Sequence, residues 1–195
     1  MQHILLNTIR TYTHFPDDEA AYVLSFFEER TYKRHAVLLE EGKVAHEVFF
    51  IVKGALRQFI LTEDGIEKTC NFCFENEFLT DLESFSRQSR AASTIIALEP
   101  TTCMIINCVN LVEIIKTSTA AAELFRIVVE NVATENIRRT KSLLSLSPEK
   151  QFEELMLNKP EIMQRVSQRY IAQYLGIAPE SLSRIRKRLM VAQKS

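Results

Sequence analysis

Hydrophobic and polar positions change period twice along this chain, and the changes divide it. The first stretch reads as two short helices. One covers residues 2–11. The next follows FPDDEA, where Asp17 or Asp18 can cap, Glu19 sits in the first turn, and Ala21, Val23, Leu24, Phe26 and Phe27 supply a partly buried face. From residues 27 to 106 the pattern becomes short β-branched and aromatic runs: AVLL, EVFFIVKG, ALRQFIL, IEKTCNFCF, STIIAL and TTCMII. Turn residues separate them, at EEG (40–42), Gly54, EDG (63–65) and EP (99–100). Alternation puts Val48, Phe50 and Val52 on one face and Phe49, Ile51 and Lys53 on the other. EDG between two strand-like runs marks a hairpin. About eight such strands predict a compact barrel or jelly roll, and the absence of βαβ spacing argues against a doubly wound sheet.

Helical periodicity returns at Asn110. The segment 119–145 carries Leu124, Ile127, Val128 and Val132 as an apolar stripe, with Asn131, Glu135 and Arg138 beside it. A helix of that length runs about 40 Å, more than a small β domain covers alone, so the surplus face predicts a second copy of the same helix. The competing reading is a face packed wholly within one chain. Ser147 and Pro148 then open another helix, which NKP (158–160) ends. A hinge between body and C-terminal head is expected at 144–148, where a small rotation would switch the head.

Residues 165–189, RVSQRYIAQYLGIAPESLSRIRKRL, are the most informative. Ser167 can cap a short helix whose Tyr170, Ile171, Tyr174 and Leu175 form one apolar face. Gly176 permits the positive backbone angle of a helix end, and Ile177 can plug the turn. A second helix begins at Ala178 or Pro179, with Leu182, Ile185 and Leu189 as its buried stripe and Ser181, Ser183, Arg184, Lys187 and Arg188 on or beside the outer side. Two short helices around a tight glycine turn, basic on the second, describe a helix-turn-helix. Arginine can bridge guanine edges, glutamate can accept from cytosine, and serine can assist. Glu180 would repel a phosphate backbone, so its place near the helix start favours base reading. Glu180, Ser181 and Arg184 are therefore the candidate base contacts. Ser167, Gln168, Arg169, Lys187 and Arg188 are the candidate phosphate contacts. The competing reading is a helical hairpin with a solvated basic face.

Charge supports the division. The formal net charge is -1. From residue 159 onward there are eight basic residues (Lys159, Arg165, Arg169, Arg184, Arg186, Lys187, Arg188, Lys194) against two acidic ones (Glu161, Glu180), a balance of +6 that leaves -7 for the rest. A basic end on an acidic body suits a polyanion-binding module. With no secretory leader pattern at the start, and no apolar run of about 18 residues, a cytoplasmic chain with reduced thiols is expected, with no membrane partner. Cys70 and Cys73 lie three apart in a strand and so face opposite ways. Neither they nor Cys103 and Cys108 make a zinc set. His35 and His46 stand apart on turns or surface, with no His-x-His spacing. No nucleophile–base pair is discernible. No metal, cofactor or enzyme activity is expected.

Together IAQYLGIAPESLSRIRKRL, the EEG, IVKG, EDG and SRAAST segments and the long helix resemble the CRP/FNR family of regulators over nearly the whole chain. The resemblance implies an α+β architecture: an N-terminal jelly-roll or β-roll effector-like domain with N-terminal helices (1–108), a dimerisation-helix region (109–146) and a C-terminal winged helix-turn-helix (147–195). It implies a homodimer on a near-palindromic DNA site that regulates transcription initiation, with RNA polymerase as a further partner. The dimer helix would use Leu124, Ile127, Val128, Asn131, Val132 and Glu135. In the family a glutamate and an arginine of the recognition helix read bases, and Glu180 and Arg184 occupy those places, with Ser181 adjoining. Pro179 stands where cyclic-AMP-responsive members have a further arginine, so the target sequence differs.

The effector pocket implied by the resemblance comprises Phe78, Leu79, Thr80, Arg90 and Ala91. Nucleotide-binding members follow the phenylalanine with glycine and glutamate, where Leu79 and Thr80 stand here, and follow the arginine with serine, where Ala91 stands. Leu79 adds a Cβ where backbone approach is needed, and Thr80 has no charge to hold a ribose. These departures argue against canonical cyclic-nucleotide binding. Arg90 could meet an anion, or pair with Glu77, Asp81 or Glu83. Another small ligand or none stays open. The family's iron–sulfur members need N-terminal cysteines, and none precedes Cys70. The alternative function is a ligand-binding interaction module without DNA binding.

Overall fold

A computed structural model describes residues 1–192. Lys194, one of the eight basic residues counted above, lies outside them. Helices α1 (Gln2–Tyr12) and α2 (Asp17–Leu24) precede eight strands: β1 (Glu28–Tyr32), β2 (Val37–Leu39), β3 (Glu47–Lys53), β4 (Leu56–Leu61), β5 (Glu67–Cys73), β6 (Phe78–Leu79), β7 (Thr94–Ala97) and β8 (Thr101–Asn107). A short α3 (Leu82–Arg87) sits between β6 and β7, and α4 (Cys108–Thr117) leads into the long α5 (Thr119–Ser145). The head is α6 (Pro148–Asn158), α7 (Ile162–Arg165), α8 (Gln168–Leu175) and α9 (Pro179–Ala192).

The strands form two antiparallel four-stranded sheets, ordered β1-β8-β3-β6 and β2-β7-β4-β5. The alternation in β3 assigns the layers. Phe49 and Ile51 point between the sheets and meet Leu56, Leu79, Ile95, Cys103 and Ile105. Phe50 and Val52 point outward and, with Met104 and Ile106, are covered by Leu5, Ile9, Val23, Ile114 and Leu124 of the helices. Strand β1 is mostly polar and lies at an edge. Its backbone pairs with β8, and Arg30 reaches Glu47 at 3.1 Å.

A third core lies on the outer face of the second sheet. Ala55, Phe72, Phe74 and Leu98 of the β-roll are buried with Phe152, Leu155, Ile162, Val166, Ile171, Leu175, Leu182 and Ile185 of the head. The head is thus packed on the β-roll of its own chain, which the sequence analysis did not anticipate. The hinge expectation changes accordingly. The connection at residues 146–147 is short, but a rotation there would have to open this core.

Among the described residues the segment from Pro148 to Ala192 holds four helices joined by turns and no strand, so the expected wing is not formed within it. Nine residues separate α6 from α8, four of them form α7, and Pro160 among them has no N–H to donate. With α7 and Pro160 occupying it, the segment forms no hairpin. Strands β4 and β5 of the β-roll close the inner side of the head instead.

Candidate nucleic-acid interface

The helix-turn-helix forms for the reasons its residues suggest. Ser167 caps α8, its side chain accepting from the Tyr170 N–H. Gly176 ends the helix at φ 68°, and the Ile177 N–H reaches back to the Ala172 carbonyl at 3.0 Å, the hydrogen bond of a glycine-terminated helix. Pro179 opens α9. Ile171, Ala172, Leu175, Leu182 and Ile185 are buried and lock the two helices together.

What remains outside is polar. Glu180, Arg184, Lys187 and Arg188 are exposed and Ser181 is half-buried. Glu180 and Arg184 lie one helical turn apart on the same side of α9. Among the described residues the Arg184 guanidinium donates one side-chain hydrogen bond, to the Ser181 hydroxyl at 3.3 Å, and it is exposed to an incoming partner. Ser167, Gln168 and Arg169 are exposed at the start of α8. Arg188 is paired with Glu149 at 3.2 Å.

The positive charge of the head is more committed than its count suggested. Lys159 donates to the Phe72 carbonyl at 2.5 Å and to the Glu77 carboxylate at 3.0 Å. Arg165 is held between Glu75 at 2.6 Å and Glu99 at 2.5 Å. These two residues fasten the head to the β-roll and do not face outward. Arg139 of α5 donates to the Tyr174 carbonyl and stacks 3.7 Å from its ring centroid. None of these partnerships was visible in the sequence, because each joins residues far apart in the chain.

Burial alone would raise the Glu75 carboxyl, but hydrogen bonds from Arg165 and the Gly54 N–H outweigh it and hold the group below the usual carboxylate range. Burial would lower Lys159, but Cys73 and the Glu77 carboxylate outweigh that and hold the ammonium above its usual range. The Glu75 contribution to docking is therefore complete above about pH 4.3 and fades as pH falls through the lowered value. The Lys159 contribution is complete below about pH 10.4 and fades as pH rises through the raised one. Thermal midpoints should be level between about pH 5 and 10 on this account and fall on either side. A midpoint still climbing from pH 5 to 8 would contradict it.

The pocket residues do not assemble as one site. Phe78 is half-buried, its ring 4.9 Å from that of Phe50. Leu79 is part of the core between the sheets, and the Thr80 hydroxyl donates to the Glu47 carbonyl. Arg90 is exposed and Ala91 buried. The three carboxylates considered for Arg90 are otherwise engaged: Glu77 by Lys159, Glu83 by Arg87, and Asp81 by the Ser84 N–H and Ser93 hydroxyl. Phe78, Leu79 and Thr80 do line a largely apolar cavity of about 300 Å³ between the β-roll and α5, with Gln58, Asn71, Phe125, Val128 and Val132. Arg90 and Ala91 do not line it.

Along α5, Leu124 is buried against the β-roll, and Val128 and Val132 face the cavity. Ile127 is half-buried, and Asn131 and Glu135 are exposed. Farther on, Ile137 and Leu144 are exposed, 56% and 83%. The four cysteines are free thiols, and burial pushes Cys73 and Cys103 up to about 12. Cys70 is exposed and Cys73 buried, as their opposite facing requires. No group of metal-ligating side chains occurs among the described residues, and no described helix is long and apolar enough to cross a membrane.

A β-roll, a long helix and a helical C-terminal bundle define the architecture of CRP/FNR-type regulators. Residues 29–118 match the family model of the cyclic nucleotide-binding domain. FixK2 from Bradyrhizobium japonicum is similar in structure, with a TM-score of 0.73 at 17% identity over 86% of each chain. The c-di-GMP-responsive global regulator CLP from Xanthomonas campestris superposes with a TM-score of 0.71 at 16% identity, over 91% of this chain and 93% of that one. A regulator ascribed to the CRP/FNR family from Eubacterium rectale gives 0.69 at 18% identity, over 91% and 85%. At these identities the likeness establishes the fold. No curated protein matches by sequence.

Proposed function

We propose that this chain is a sequence-specific DNA-binding transcriptional regulator that acts as a homodimer, with a β-roll that lacks canonical cyclic-nucleotide binding. The observation that carries this is the outward side of α8 and α9: Ser167, Gln168, Arg169, Glu180, Arg184 and Lys187 are all exposed on helices whose other side is buried core. Glu180, Ser181 and Arg184 read bases; Ser167, Gln168, Arg169, Lys187 and Arg188 hold phosphates. The β-roll with its N-terminal helices (1–108) senses, the region 109–146 pairs two copies through α5, and the head (147–195) binds DNA. Ile127, Asn131 and Glu135 of α5, still accessible in one chain, are the accessible part of the pairing face. The chain works in the cytoplasm and regulates transcription initiation, with RNA polymerase as a further partner.

The placement of Arg90 and Ala91 away from the cavity that Phe78, Leu79 and Thr80 line supports the loss of nucleotide binding. Titration calorimetry with cyclic AMP should show no saturable heat. Saturable binding would overturn that part.

DNA binding is tested by titrating the full chain with labelled duplex between about 50 and 200 mM salt, where affinity should fall steeply. In the dimer Lys187→Ala removes one phosphate contact per chain and should reduce the slope of log affinity against log salt by about 1.8. An unchanged slope would remove Lys187 from the phosphate contacts. Absence of any binding at the lowest salt would favour an interaction module that does not touch DNA.

A further inference from the structure

Arg57 is an arginine with no solvent exposure, on β4 of the sensor domain. Its Nε donates to the Thr69 hydroxyl at 2.8 Å, and one terminal nitrogen donates to Glu67 at 2.8 Å. The other crosses to the head and donates to Gln173 Oε1 at 2.9 Å. The guanidinium carbon lies over two rings, 4.3 Å from the Phe59 centroid and 4.0 Å from that of Tyr170. Three of these five partners belong to the β-roll and two to α8.

A buried cation is costly unless every donor and both faces are occupied. An apolar side chain would close the same contact at lower cost, but would let α8 slide across the sheet. A planar fork with fixed donor directions does not. Tyr170 and Gln173 lie three apart on α8, so they present one side of it to Arg57. Phe72 packs beside them, its ring 5.5 Å from that of Tyr174. Helix α8 in turn shares its core with α9 through Leu175 and Leu182. Fixing α8 therefore fixes the direction in which Glu180 and Arg184 point.

We propose that Arg57 is a positioning residue for DNA reading: it bolts the helix-turn-helix to the β-roll, so that the separation of two recognition helices in a dimer is set by the β-rolls and not by a swivel at 144–148. This rests on the DNA-binding reading above and adds to it what holds the reading heads in place. Two recognition helices must reach successive major-groove faces about 34 Å apart. A rigid bolt makes that distance a property of the whole dimer.

The test uses the full chain and a duplex selected by the wild type from a random pool, together with versions whose half-sites are moved one base pair closer or farther apart. Wild type should bind the selected spacing at least about tenfold better than either shifted one. Arg57→Met, which keeps the length but not the fork, should lose about tenfold on the selected spacing and bind all three within about threefold. Its base preference within each half-site should be unchanged. Arg57→Lys should resemble Arg57→Met. Gln173→Leu, made on the half-buried opposite side, should reproduce the flattened profile if Arg57→Met folds poorly, and the double variant should be no worse than the stronger single. A wild-type spacing profile retained in Arg57→Met and Gln173→Leu would overturn the proposal. A purely structural Arg57 would weaken binding at every spacing equally, which also overturns it. If the wild type selects no duplex, the DNA-binding reading itself has failed.

Discussion

Phe72→Ala is expected to destabilise the chain by about 3–5 kcal/mol and to do so in the β-roll and the head together. Phe72 belongs to β5 but points out of the β-roll, is 1% exposed, and packs with both the sheet residues Ala55 and Leu98 and the head residues Ile171 and Leu175. Truncation leaves a cavity that neither rigid partner can close alone. Urea unfolding should show one transition for the wild type, and a midpoint much lower in the variant with the slope little changed. A loss under about 1 kcal/mol would mean that the head does not pack there.

Arg184→Ala should behave in the opposite way. The side chain is exposed and, among the described residues, its hydrogen bond is to Ser181, so stability should stay within about 0.5 kcal/mol of wild type. Affinity for the preferred duplex should fall by about 1–3 kcal/mol, roughly fivefold to 150-fold, and discrimination at one base position in each half-site should relax. Competition binding with duplexes altered at single positions measures both. An equal loss on every duplex would move Arg184 to the phosphate contacts. The contrast between Phe72 and Arg184 separates what holds the interface in place from what reads.

The helix-turn-helix was the most legible part of the sequence because its determinants are local. A serine cap, a glycine at a left-handed helix end and two apolar stripes at three- and four-residue steps lie within 25 residues. The two-faced alternation of β3 was legible for the same reason. Strand β1 was not, since EERTY has no apolar alternation and is held by backbone pairing at a sheet edge. Helix α3 was missed because six residues give too short a window for periodicity. The docking of the head was invisible for a different reason. Arg57 and Gln173 are 116 residues apart, and Arg165 and Glu75 are 90 apart. A lysine that binds DNA and one that fastens a domain are the same letter, and so Lys159 and Arg165 were counted with the DNA-facing charge. The wing of the 147–195 head came from family resemblance alone, and no strand among its described residues supplies it.

On the proposed function two copies of α9 read DNA as a symmetric pair. The decisive measurement is the sequence of the duplexes that the full chain enriches from a random pool, combined with the mass of the complex on the winning duplex. The expected result is an inverted repeat with half-site centres about 34 Å apart, bound by two chains. An unrepeated motif bound by one chain, or no enrichment at all, would contradict it.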